Sequence, residues 1–104
     1  MQNLHNSIEK TLNPGGAQYY RAGRYYLDAG KEAAKAKEYL EVACKKYDEE
    51  GTKAYWAYHQ LAIAQKMAGE KKEAKKSAEK SMEYAKERKA DSYIKLNEDL
   101  IKGL

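Results

Sequence analysis

Apolar and small residues recur every three or four positions along most of this chain, and the stripes break at short turn-forming clusters. That period predicts amphipathic α-helices throughout and no strands. Residues 3–12 carry Leu4, Ile8 and Leu12 on one stripe, and Asn13-Pro14-Gly15-Gly16 stops the helix. A second helix is expected at 17–29, closed by Gly30 as a left-handed cap. Its partner, 31–48, has Ala36, Leu40, Ala43 and Cys44 inward, with Tyr39 and Tyr47 flanking the stripe. The connector 48–52 follows, with Thr52 as the expected cap of the next helix. Residues 53–68 and 70–88 form two more helices, folded back across Met67-Ala68-Gly69-Glu70. A last helix, 92–102, starts from an Asp91 or Ser92 cap. It turns Tyr93, Leu96 and Leu100 inward, with Ile94 and Ile101 beside them, and covers the side of the preceding hairpin.

The stripes repeat. Tyr19-x2-Ala22-Gly23-x2-Tyr26 in one hairpin matches Tyr58-x2-Leu61-Ala62-x2-Gln65 in the next. Gly23 to Ala62 and Gly30 to Gly69 are both 39 positions, and Ala36 to Ala74 is 38. A glycine inside a helix costs about 1 kcal/mol against alanine. Gly23 therefore implies close approach by a neighbouring helix. Ala62, Ala74 and Ala78 serve the same purpose in the second hairpin, since small residues let helix backbones come near.

This spacing resembles the tetratricopeptide repeat (TPR), whose signature is W-x2-L-G-x2-Y followed by A-x3-F. Residues 17–44 and 55–88 carry it, and Pro14 and the last helix frame them. Gln65 stands where the pattern has an aromatic, and Ala78 where it has a large residue. The resemblance implies one all-α domain over 1–104, a TPR-like right-handed helical-hairpin solenoid of about two and a half repeats. Its parts are a half-repeat helix (3–12), two hairpins (17–48 and 53–88) and a capping helix (92–102). A closer likeness is to the TPR-like tail of an uncharacterised family of bacterial exported proteins. It rests on Ala22-Gly23-Arg24-Tyr25-Tyr26 with Gly30, on 54–74, and on Lys95-Leu96-Asn97-Glu98-Asp99-Leu100-Ile101. That likeness implies an excised tail or an engineered version of one, and brings no activity.

In TPR proteins the first helix of each repeat lines a concave groove that holds a peptide or partner segment. Mapped here, the wall is Tyr20, Arg24, Leu27 and Asp28, then Trp56, His59, Ile63 and Lys66, all off the core stripe. Aromatics and Arg dominate binding hot spots, so the set reads as a recognition surface. The bland reading packs Trp56 on the connector and leaves the charges solvated. Some TPR proteins clamp a chaperone's terminal carboxylate with Lys and Asn. Tyr20 and Arg24 stand at those places, so that clamp is not expected. The function expected is a protein-interaction or scaffold module; the alternative is an engineered or excised repeat domain with no native ligand.

Charge and composition narrow the rest. The net charge is +4, with 35% charged residues and only three Arg. Lys71, Lys72, Lys75, Lys76 and Lys80 are interrupted by Glu70, Glu73 and Glu79, which marks a solvated helix face rather than a nucleic-acid site. No apolar run nears the ~18 residues of a membrane span, and the N-terminus has no signal-peptide pattern, so a soluble chain is expected. Single Cys44 lies on the core stripe, and its spacing from His59 fits no metal motif. The pairs Tyr19-Tyr20 and Tyr25-Tyr26 at helical spacing suit packing better than base stacking. With no nucleophile set, phosphate loop or cofactor fingerprint, neither an enzyme nor a cofactor or metal is expected. A thinly covered Tyr19–Tyr26 face leaves a homodimer open.

Overall fold

The computed structural model describes residues 14–30 and 32–104; the helix expected at 3–12 lies outside them. Among the described residues five helices follow in order: α1 (Gly16–Ala29), α2 (Ala33–Glu49), α3 (Tyr55–Met67), α4 (Lys71–Glu87) and α5 (Asp91–Lys102). The same residues contain no strand.

The turns explain the hairpins. Each of the four connections contains a residue in the left-handed region: Gly30 (φ 67°), Gly51 (φ 77°), Gly69 (φ 82°) and Lys89 (φ 57°). Glycine takes that conformation without a Cβ clash, whereas an L-residue pays about 1–2 kcal/mol. Lys89 is the exception. Lys89→Gly is therefore expected to stabilise the fold by about 0.5–1 kcal/mol, read as a higher urea midpoint with unchanged slope.

Neighbours in sequence are neighbours in space, and α3 also touches α1 and α5. The three odd-numbered helices thus share one side of the stack. The contacts are made by small residues: Ala22, Ala36, Ala43, Ala57, Ala62, Ala64, Ala74 and Ala78 are all fully buried. Gly23 is buried where α1 meets α2, and a Cβ built on it lies 2.6 Å from the Leu40 Cγ. Leu40 is itself completely buried. The backbones approach at that notch because Gly23 leaves room for one leucine.

Tyrosines fill the margins. Tyr26 stacks on Tyr39 with centroids 5.7 Å apart, and Tyr19 leans on Tyr39 at 6.4 Å. Tyr39 and Tyr47, beside the α2 stripe, are buried. Tyr47 lies against Gly16 on one side and Trp56 on the other, which ties α1 to the start of α3.

Three local expectations are corrected. Thr52 does not cap α3: the N-cap is Ala54, with no side-chain bond, while the Thr52 amide donates to the Tyr47 carbonyl at 2.9 Å. Neither Asp91 nor Ser92 caps α5; Ala90 holds the N-cap and Asp91 falls in the first turn, where its charge favours the helix dipole. Leu96 faces outward at 47% exposure, and Asn97 takes the inward place. The helix is turned by one position because Asn97 has buried partners to satisfy.

Candidate functional site

The groove residues fall into separate settings. On α1, Tyr20, Arg24 and Asp28 stand one turn apart on one face. Arg24 Nη1 donates to the Tyr20 hydroxyl at 3.1 Å, and Nη2 reaches Asp28 at 3.4 Å. The Tyr20 bond holds the guanidinium protonated above its usual range. Arg24 Nε is buried with no acceptor among the described residues. Leu27 is half-buried against the core, and Asp28 is exposed.

On α3 the set divides. Trp56 is packed edge-on against Tyr47 and Tyr55 and lines a shallow hollow of about 340 Å³ with Thr52, Lys53 and Arg88. Its position beside the connector matches the bland reading, although its ring stays partly exposed. Ile63 is half-buried and Lys66 exposed, with the Lys66 ammonium close to Gly103 at the end of α5.

His59 does not belong to an open groove. It is 6% exposed, beneath α5. Its Nδ1 lies 2.7 Å from Asn97 Oδ1, and the Tyr93 ring meets its imidazole edge-on at 5.6 Å. Asn97 Nδ2 donates to Ser81 Oγ (2.8 Å) and to the Tyr93 carbonyl (2.7 Å), and Ser81 donates to the Tyr55 carbonyl (2.6 Å). Since the Asn97 amide nitrogen is donating twice, its oxygen accepts, and His59 Nδ1 carries the proton. One polar chain therefore clasps α3, α4 and α5. Such a network is strong only when every member is satisfied.

Two further aromatic residues lie near this set, Tyr55 at the start of α3 and Tyr93 on α5. Tyr55 and Tyr93 pack against each other at 4.9 Å. Burial raises the Tyr93 phenol above its ordinary value; Tyr20 and Tyr55 add to this and Arg24 opposes it. Tyr93 holds the inward place on α5 that its apolar stripe predicts, packed on Tyr55 and His59.

A second polar centre lies on the α2–α4 side. The Asp48 carboxylate accepts from the Tyr58 hydroxyl and from the Tyr84 hydroxyl (2.9 Å). Lys80 and Lys53 sit over the Tyr84 ring at 4.7 and 4.9 Å. Burial, then the Asp48 bond, raises both phenols. Burial also raises Tyr47, with the Trp56 indole opposing. For these and Tyr93, folding favours the neutral phenol, so their contribution is complete below the ordinary value of 10.0 and is lost as pH rises through the raised folded values. Stability is expected to begin falling near the ordinary Cys44 value of 9.0, since burial raises that thiol too, and to fall more steeply above 10. Above it, the loss is at most about 1.4 kcal/mol per pH unit for each tyrosine. Urea midpoints between pH 8 and 12 check this.

Cys44 is 2% exposed, and burial followed by Asp48 and Glu41 raises its thiol far above the ordinary range. It is a small core residue in this setting. Among the described residues no group of three His, Cys, Asp or Glu is placed to hold a metal ion. No described helix is long and apolar enough to cross a membrane. Comparison of the chain with protein-family models, with curated proteins and with solved structures finds no match.

Proposed function

We propose that this chain is a TPR-like interaction module that holds an extended peptide or partner segment against the face shared by α1, α3 and α5. Two features support the solenoid reading. The odd-numbered helices touch each other as well as the helix between them, and the small-residue notches recur at Gly23 and Ala62. His59 is removed from the contact set and Tyr55 and Tyr93 are added.

The observation that carries the proposal is the Arg24 guanidinium. It has five N–H donors. Tyr20 takes one, Nε is buried out of a ligand's reach, and the part-exposed remainder has only the exposed Asp28 as a weak partner. Beside it stands the Tyr20 ring, its centroid 6.0 Å from the guanidinium carbon. Donors in excess of acceptors, backed by aromatic surface, suit a segment whose carboxylates or carbonyls supply the missing acceptors.

The test is selection of binding peptides from a random library at physiological salt. Enrichment of acidic sequences is expected, with affinity for Arg24→Gln at least about tenfold weaker, the equivalent of one charge-assisted hydrogen bond. Selection that retains nothing, or peptides indifferent to Arg24→Gln, would reject the reading.

A further inference from the structure

The two hairpins match at their helix ends as well as along their stripes. Gly15 and Ala54 are the N-caps of α1 and α3, 39 positions apart. Glu50 and Arg88 are the C-caps of α2 and α4, 38 positions apart. Each precedes a residue of positive φ, Gly51 in one case and Lys89 in the other. At these matched ends the charge is reversed. In the first hairpin the Glu50 carboxylate reaches the start of α1, where its Oε2 accepts from the Gly16 amide at 3.0 Å. That is an anion held where unpaired N–H groups and the helix dipole favour one.

The second hairpin has the same place without the carboxylate. Arg88 stands where Glu50 stood, and the start of α3 has no side-chain cap. The Tyr55 amide, equivalent to that of Gly16, donates to the Lys53 carbonyl two residues before it, at 2.9 Å. The Trp56 amide has no acceptor among the described residues. The hollow of about 340 Å³ opens here, lined by Thr52, Lys53, Tyr55, Trp56 and Arg88. Two of these are cations and none is acidic. The Arg88 side chain makes no ion pair or hydrogen bond among the described residues. Lys53 has only Glu87, 4.0 Å away at the surface, and the face of the Tyr84 ring. The Tyr55 and Trp56 rings stand at 88° to each other and form an aromatic corner. The first hairpin has Gly16 and Ala17 at those two positions, so the corner belongs to the second hairpin alone.

We propose that this hollow binds a small aromatic carboxylic acid as its anion. The carboxylate takes the place that Glu50 fills in the first hairpin, beside Arg88 and Lys53 and against the start of α3. The ring lies in the corner made by Tyr55 and Trp56. The site shares Tyr55 with the face proposed for peptides but uses neither Tyr20 nor Arg24, so the two stand or fall separately.

The probe is 3-phenylpropionate, titrated into the full chain at physiological salt. Trp56 is the single tryptophan, so its fluorescence reports on the hollow, and its backbone amide is followed by NMR. Saturable changes with one midpoint are expected in both. The neutral 3-phenylpropanamide should bind at least about tenfold more weakly, as should the probe to Lys53→Gln/Arg88→Gln. A tenfold change corresponds to about 1.4 kcal/mol, the order of one charge-assisted hydrogen bond. Arg88→Glu, which gives the second hairpin the residue of the first, should abolish the response, and Arg24→Gln should leave it unchanged. Equal binding of the amide, an unaltered response in Arg88→Glu, loss of the response in Arg24→Gln, or no saturable change in the unmodified chain would overturn the proposal. Arg88 is exposed and Lys53 partly so, and these variants leave the core intact.

Discussion

Gly23→Ala destabilises this protein, although the same change in an ordinary helix interior gains about 1 kcal/mol. The added methyl would stand 2.6 Å from Leu40 Cγ, 2.9 Å from its Cδ2 and 3.3 Å from its backbone nitrogen. Leu40 is completely buried and cannot swing aside into solvent. Either the leucine leaves its rotamer or α1 and α2 separate. Overpacking of this kind costs about 1–3 kcal/mol, enough to outweigh the helix-propensity gain. Gly23→Val, with a branched side chain, should cost more. Urea unfolding followed by circular dichroism measures both. Pairing Gly23→Ala with Leu40→Ala separates the causes: the double variant should lose less than the sum of the singles, because residues in contact do not add. A stabilised Gly23→Ala would mean that no neighbour presses on that position.

Asn97→Leu produces the second large effect, a loss of about 2–3 kcal/mol concentrated at α5. Leucine keeps the branched shape and is not smaller, so the penalty is not a cavity. It comes chiefly from the His59 Nδ1–H, which loses its acceptor in a place water reaches poorly; the Ser81 oxygen loses one donor but its hydroxyl keeps the Tyr55 carbonyl. An unsatisfied buried polar group costs about 1–3 kcal/mol. Amide hydrogen exchange should quicken across Asp91–Lys102 before it changes in α1 or α2, because only the outer helix hangs on that clasp. Adding His59→Leu should recover part of the loss, since replacing both partners by apolar groups removes the orphan. If Asn97→Leu alone is neutral, the polar chain contributes nothing and α5 is held by Tyr93, Ile94 and Ile101 instead.

Where the apolar period was unambiguous, the sequence specified the element to within two residues. Ala36, Leu40, Ala43 and Cys44 lie inward as their spacing requires, and Gly30 and Gly69 end their helices with positive φ. The chain's close approach at Gly23 was also legible, because a mid-helix glycine weakens its helix unless a neighbour needs the space. What could not be read was the rotation of α5. Hydrophobicity ranks Leu96 above Asn97, and only the buried partners on α3 and α4 reverse that order. The same blind spot misplaced His59. On α3 it lies off the Leu61–Ala62 stripe, which suggested solvent, yet α5 packs over that side. Contacts between helices two apart in the chain are set by the turn geometry and leave no periodic trace. Caps failed for a related reason. Thr52 and Ser92 have the right chemistry, but the helices start at Tyr55 and Asp91, where backbone groups rather than side chains meet the first amides.

The most direct test of the peptide-binding account is where a selected peptide lies. A spin-labelled version of the tightest library peptide, added to isotope-labelled protein, should broaden the ring signals of Tyr20, Tyr55 and Tyr93 and the Arg24 side chain, leaving Lys72, Lys75 and Lys76 on α4 sharp. Broadening that follows those lysines, or the α2–α4 side around Asp48, would place the partner on the wrong face and contradict the account.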